Sequence, residues 1–129
     1  EETRLYLEII QPEALIPTLT LIDNYALGNR VVVSSFHHDV LVEAKKINPI
    51  QRTMALFECN PVDPIALVNL SKAEEAGLGF ESIGSEMVRN LNLAGIKSYA
   101  WTVNDPRELE CCMELGLSGV FTDDADILR

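Results

Sequence analysis

The sequence predicts an α/β fold of about six parallel strand–helix units. Three observations predict it. Six short apolar runs start at intervals of roughly 19 to 26 residues. Helix start and stop signals lie between them. Polar side chains cluster just after several of the runs, at the strand ends where α/β proteins keep their chemistry. The 129 residues give room for a single domain over 1–129. A composition of 47% hydrophobic and 23% charged residues is that of a globular chain.

The expected strands are Leu5–Ile10, Val31–Phe36, Thr53–Glu58, Leu78–Ser82, Lys97–Val103 and Gly119–Thr122. Val31-Val32-Val33 is a β-branched run of the kind buried on both faces. The connection 11–29 is broken by Pro12 and Pro17, yet Leu19, Ile22 and Ala26 fit a helix that stops at Gly28. His37–Asn48 reads as a helix with Leu41, Ala44 and Ile47 on one face, and Pro61–Ala76 as another, stopped by Gly77. Ser85 is placed to cap a helix with Met87, Val88, Leu91 and Ala94 inward and Gly95 at its end. Asp105, Pro106 and Glu108 form a capping-box start, Leu109, Cys112 and Met113 an apolar stripe, and Gly116 the stop.

The net charge of −10 disfavours nucleic acid as a partner, because phosphate binding needs a basic face. No apolar run is long enough for a membrane span. The three cysteines, Cys59, Cys111 and Cys112, make a poor disulfide framework, and the adjacent pair suits core packing; a reducing, cytoplasmic setting is expected. Pattern alone leaves open a doubly wound sheet or an incomplete β/α barrel, since a full barrel takes about 250 residues.

The motifs discriminate. Leu7-Glu8-Ile9, Val33-Ser34-Ser35-Phe36, Ala94-Gly95-Ile96 running into Tyr99-Ala100-Trp101-Thr102-Val103-Asn104, and Leu115-Gly116 followed by Gly119-Val120-Phe121-Thr122-Asp123 occur in one order along the chain. Together they resemble the glycerophosphodiester phosphodiesterase family. The resemblance implies an incomplete TIM-type barrel of about six strands, strands three to eight of the family fold. It implies metal-assisted hydrolysis of a glycerophosphodiester to an alcohol and glycerol 3-phosphate, with Mg²⁺ or Ca²⁺ as cofactor. The family's first two strands carry a His-Arg pair, a Glu-x-Asp metal pair and a second histidine, and none of these motifs occurs here. His37-His38-Asp39 follows the Ser-Phe strand, where the family's helix begins, and is not taken as their substitute. The isolated chain is therefore expected to be incomplete and inactive, needing a missing barrel half or a homo-oligomer. The other reading is a non-catalytic partial-barrel assembly module. An unrelated doubly wound ligand-binding protein ranks last, since no Gly-x-Gly-x-x-Gly or P-loop occurs.

By the resemblance, Glu8 matches the metal-ligand glutamate; by alternation, Tyr6, Glu8 and Ile10 could equally face outward. Where the family has a lysine two residues on, this chain has Ile10. Trp101 resembles the aromatic lining the substrate pocket, whose flat face can hold the glycerol moiety; the alternative is a core tryptophan. Ser35 and Phe36 end a strand and are candidate substrate contacts, with helix capping the stronger reading for the hydroxyl. No catalytic residue is assigned. Glu58 and Glu81 stand at strand ends, where solvated loop positions are the commoner case. Asn104 is expected to shape a turn, and Asp123, Asp124 and Asp126 to form a solvated one.

Overall fold

The computed structural model describes residues 3–128. Its strands are β1 (Leu5–Glu8), β2 (Val31–Ser35), β3 (Arg52–Phe57), β4 (Glu75–Gly79), β5 (Lys97–Trp101) and β6 (Gly119–Val120). Its helices are α1 (Leu15–Asn24), α2 (His38–Ile47), α3 (Pro64–Leu70), α4 (Ser85–Leu93) and α5 (Pro106–Leu115). The chain divides into two compact units: one runs to Leu56 and includes Val68–Glu74, and the other comprises Phe57–Leu67 and the chain from Glu75 onward.

In the first unit β1, β2 and β3 lie side by side in sequence order, all parallel, with Leu5 opposite Val31, Glu8 opposite Ser34 and Ser34 opposite Met54. Val31, Val32 and Val33 are fully buried, as the β-branched run predicts. Amphipathic α2 covers them with Val40, Leu41 and Ala44. Glu74 ties this unit together: its carboxylate accepts from the Thr53 backbone N–H at 2.8 Å and from Lys45 on α2.

In the second unit β4, β5 and β6 are likewise parallel, with Gly79 opposite Trp101 and Tyr99 opposite Gly119. A core of Ala100, Val103 and Cys112 is packed by Phe80, Ile83, Leu109 and Leu117. Asp105 caps α5 as its sequence predicts, but its carboxylate accepts from the Arg107 N–H at 2.8 Å, one position earlier than a capping box would place the bond.

Four helices end alike. A residue at positive φ follows the last turn, and the next N–H reaches back to a carbonyl five residues earlier: Leu27 to Ile22 (2.9 Å), Ala73 to Val68 (3.2 Å), Ile96 to Leu91 (2.9 Å) and Leu117 to Cys112 (3.1 Å). This is the Schellman closure. Glycine takes the left-handed position at Gly95 and Gly116, but Ala26 (φ 53°) and Lys72 (φ 60°) take it at the other two.

Several sequence expectations are corrected. Helix α1 stops at Asn24, because Ala26 and not Gly28 makes the turn. The expected helix Pro61–Ala76 is only Pro64–Leu70, and the next strand begins at Glu75, so Gly77 lies inside a strand opposite Tyr99 instead of stopping a helix. Gly84 takes the cap position before α4, making Ser85 its first residue. A Cβ at Gly84 would meet the Asn60 side-chain nitrogen at 2.7 Å, so a larger residue there would turn the exposed Asn60 amide aside. Ala94, Cys111, Met113 and Ile47 are exposed and not inward. Each sits at the border of its apolar stripe, where a one-residue rotation of 100° decides burial.

Candidate substrate-binding cleft at the strand ends

In the first unit the strand ends carry Glu8, Ser34, Ser35 and Phe36. Glu8 is the last residue of β1 and is exposed. Its strand-paired neighbour Ser34 is buried. The Ser35 hydroxyl is fully buried and fully used: it donates to the Ile9 carbonyl at 2.7 Å and accepts from the His37 N–H at 3.0 Å. It thereby ties the chain leaving β1 to the entrance of α2 and does not cap the helix as expected, since His37 takes the cap position and its side chain makes no cap bond. Phe36 is 44% exposed beside it. His37 precedes α2 and is exposed; His38 opens the helix, its Nε2 lying 2.9 Å from the Leu56 carbonyl.

In the second unit a cleft of about 200 Å³ opens at the ends of β4 and β5, bordered by Glu58, Glu81, Ser82, Trp101, Thr102 and Glu108. Each side chain reaches it for a local reason. Glu58 follows the last residue of β3, and Glu81 lies in the 3₁₀ turn Phe80–Ser82 that leaves β4. Glu108 is in the first turn of α5. Trp101 ends β5, its ring lying over Gly79: a Cβ there would be 3.3 Å from Cη2 and Cζ2. The Trp101–Thr102 peptide bond is cis.

Asn104 bonds within the turn after β6: its amide donates to the Asp123 carboxylate at 3.0 Å, and its oxygen accepts from the Thr122 hydroxyl (3.1 Å) and the Asp123 N–H (2.9 Å). The Asp124 N–H donates to the Thr122 hydroxyl at 3.1 Å, and the Asp126 N–H to the Asp124 carboxylate at 2.9 Å. The acidic run is thus a hydrogen-bonded turn.

Two groups near this end have displaced acidities. The Arg107 side-chain and backbone hydrogen bonds hold the Asp105 carboxyl below its usual range. Burial, with a smaller repulsion from Cys111, pushes the Cys112 thiol up to about 11. All three cysteines are free, with Cys59 and Cys111 exposed. Among the described residues, no three His, Cys, Asp or Glu side chains are grouped so as to hold a metal ion, and no helix is long and apolar enough to cross a membrane.

Sequence reading singled out Glu8, Ser35, Phe36 and Trp101. Ser35 and Phe36 stand together after β2, Glu8 ends the strand paired with β2, and Trp101 belongs to the other unit's cleft. Glu108 was read only as a cap residue, and its place on the cleft follows from the first turn of α5 facing the end of β5.

The profile of the glycerophosphoryl diester phosphodiesterase family matches residues 9–127. A glycerophosphodiester phosphodiesterase of Caldanaerobacter subterraneus subsp. tengcongensis is 30% identical over 107 residues, covering 83% of this chain and 44% of its own length. One of Bacillus subtilis is 25% identical over 124 residues, covering 91% and 42%. The chain thus spans less than half the length of these curated relatives. Among solved structures, an Oleispira antarctica phosphodiesterase in complex with the product sn-glycerol-3-phosphate superposes with a TM-score of 0.81 at 20% identity, over 93% of this chain and 51% of the other. A glycerophosphodiester phosphodiesterase of Thermotoga maritima gives 0.79 at 21%, over 97% and 56%. At those identities the likeness shows the fold: an α/β partial barrel of six parallel strands.

Proposed function

The chain belongs to the glycerophosphoryl diester phosphodiesterase family, and from that premise we propose that it supplies substrate-facing residues for hydrolysis of a glycerophosphodiester. The products would be an alcohol and glycerol 3-phosphate. The observation that carries this reading is family membership across nearly the whole chain, with an aromatic-walled cleft at the strand ends where such folds bind ligands. Trp101, Ser35 and Phe36 are the proposed substrate contacts. Trp101 offers a flat wall and Phe36 an exposed ring, whereas Ser35 acts by shaping the strand end, since its hydroxyl is already bonded.

Glu8 is the proposed metal donor, for Mg²⁺ or Ca²⁺. Hard cations take about six to eight oxygen ligands, fewer only where water completes the shell. The described residues do not fit such an ion by themselves, because no three His, Cys, Asp or Glu side chains among them are grouped so as to hold one, around Glu8 or elsewhere. It would serve as one ligand of a site completed by other groups. The two histidines stand at the start of α2, where His38 Nε2 lies 2.9 Å from the Leu56 carbonyl, and neither matches the family's histidine motifs. We therefore propose that the isolated chain hydrolyses diesters poorly or not at all, and that it works with a barrel half supplied by another polypeptide or another copy.

The second reading, an assembly module without catalysis, draws on the first unit. Around β1 and α1 the side chains of Leu5, Leu7, Ile10, Ile16 and Leu21 are all more than a third exposed, beside a strand with one paired edge. Unpaired strand edges with apolar neighbours favour association. The acidic charge supports a partner other than nucleic acid. The free cysteines suit a reducing compartment such as the cytoplasm.

Hydrolysis of glycerophosphocholine and of bis(p-nitrophenyl) phosphate, with Mg²⁺ or Ca²⁺ and with a chelator, separates the readings. Chelator-sensitive turnover lost in Glu8→Ala would establish a working site in this chain. No turnover by a folded chain would favour the module, and light scattering would then give its oligomeric state.

A further inference from the structure

We propose that the outer edge of β1 pairs with β1 of a second copy of this chain, antiparallel and centred on Tyr6, to make a two-fold dimer. This rests on the assembly reading above and gives it a partner and a geometry. β1 has β2 on one side and, among the described residues, no strand on the other. The direction of its backbone groups follows from Ile9, whose N–H donates to the Ser34 carbonyl at 2.8 Å and whose carbonyl accepts from the Ser35 hydroxyl at 2.7 Å. Both groups of Ile9 thus face β2. Along an extended strand these groups alternate in side. Those of Leu5 and Leu7 therefore also face β2, and those of Arg4, Tyr6 and Glu8 face the outer edge. Edge strands are ordinarily blunted by a charge or a proline, and Leu5, Tyr6 and Leu7 are neither.

The segment Arg4-Leu5-Tyr6-Leu7-Glu8 is self-complementary when set against itself in the opposite direction. Arg4 falls opposite Glu8 of the second copy, Leu5 opposite Leu7, and Tyr6 opposite its own equivalent. Arg4, Tyr6 and Glu8 share one face by alternation and are the three edge-facing residues, so their pairs exchange backbone hydrogen bonds. Leu5 and Leu7 share the other face and form the closer pairs, with Cα atoms about 4.5 Å apart. In the single chain they are 41% and 37% exposed, so pairing covers apolar surface. Arg4 and Glu8 are both exposed. Sliding either copy by two residues keeps the backbone bonds but sets Arg4 or Glu8 against Tyr6 and loses both opposite-charge pairs. The net charge of −10 makes two copies repel in general, and the two Arg4–Glu8 contacts related by the axis are the local exception. The two-fold axis uses up both edges, so the product is a closed dimer and not a fibre.

The test is sedimentation velocity of the chain over a dilution series at constant ionic strength, with a chelator keeping divalent ions off Glu8. The expected result is a reversible monomer–dimer equilibrium. Arg4→Glu and Glu8→Arg each replace two attractive contacts by two repulsive ones, so each should raise the dimer dissociation constant at least about tenfold. The double reversal, Arg4→Glu with Glu8→Arg, should bring it back to within about threefold of the wild type. Tyr6→Pro removes an N–H that faces only the outer edge, so it should abolish the dimer with circular dichroism unchanged. A chain monomeric throughout the series would overturn the proposal, and with it any association between copies. Dimers indifferent to the single reversals, or a folded double variant as weak as the singles, would overturn the pairing and leave the assembly reading standing.

Discussion

The indole of Trp101 lies across Gly79, its registered partner on β4, with 3.3 Å between the ring and the place a Cβ would occupy. The same relation recurs one strand on, where a Cβ at Gly119 would sit 3.1 Å from Cδ1 of its registered partner Tyr99. Parallel strands lie about 4.8 Å apart, so a ring can lie over the neighbouring strand only where that strand lacks a side chain. The two glycines thus orient the aromatic residues of β5. Gly79→Ala should lower stability by about 1–3 kcal/mol and shift the Trp101 emission spectrum, whereas Gly119→Ala should lower stability without that spectral shift. Calorimetry with fluorescence checks both. A wild-type melting temperature in each variant would mean that the rings give way freely.

The helix ends supply a second prediction. Ala26 and Lys72 occupy left-handed positions that cost a non-glycine residue about 1–2 kcal/mol. Replacing them with glycine relieves that strain but frees the unfolded chain by about 0.4–1 kcal/mol. Ala26→Gly and Lys72→Gly should therefore each stabilise the fold by up to about 1 kcal/mol, and Gly95→Ala should destabilise it by a similar amount. Urea titrations of the three variants would test the sign. A loss of stability in both glycine variants would show that the turns are not strained.

These positions also show what could be read from sequence. The units, their parallel order and the Asp105 cap were legible because each rests on residues close in sequence. Gly95 and Gly116 stopped their helices as expected. Gly28 and Gly77 misled for one reason: glycine was read as a stop wherever a helical pattern preceded it. The turn after α1 is made by Ala26, which has no stop signal. Gly77 lies within β4, where glycine answers to a neighbouring strand. Among site residues, Glu8 and Trp101 came from motif resemblance, while the bond from the Ser35 hydroxyl to the Ile9 carbonyl spans 26 residues and leaves no local trace.

The Asp105 cap predicts a pH dependence. Its carboxyl is held below the usual range by the Arg107 hydrogen bonds, so its contribution is complete above the unfolded carboxylate pKa. The contribution is lost as pH falls through the lower, folded value. Asp105→Ala should melt below the wild type at pH 7, and the gap should narrow toward pH 2. Asp105→Asn, which keeps a capping oxygen without the charge, should fall between them at pH 7 and track the alanine variant's pH dependence. A gap that is constant across the range would assign the cap no ionic component.

Cys112 predicts the opposite arm. Its thiol is 1% exposed, and burial raises its pKa from 9.0 to about 11. The folded state therefore holds the proton more tightly than the unfolded one. Stability from this group is whole below pH 9 and falls by up to about 1.4 kcal/mol per pH unit as pH rises from 9 toward 11. Lysines and tyrosines titrate in the same range, so the informative quantity is the difference between wild type and Cys112→Ala, which should shrink across that interval. The same burial predicts reactivity. Iodoacetamide at pH 8 should modify Cys59 and Cys111 on the folded chain and reach Cys112 only after denaturant is added, as peptide mass spectrometry would record. Rapid modification of Cys112 on the native chain would mean that α5 opens locally, because its thiol packs against Ala100 and Val103 beneath the helix.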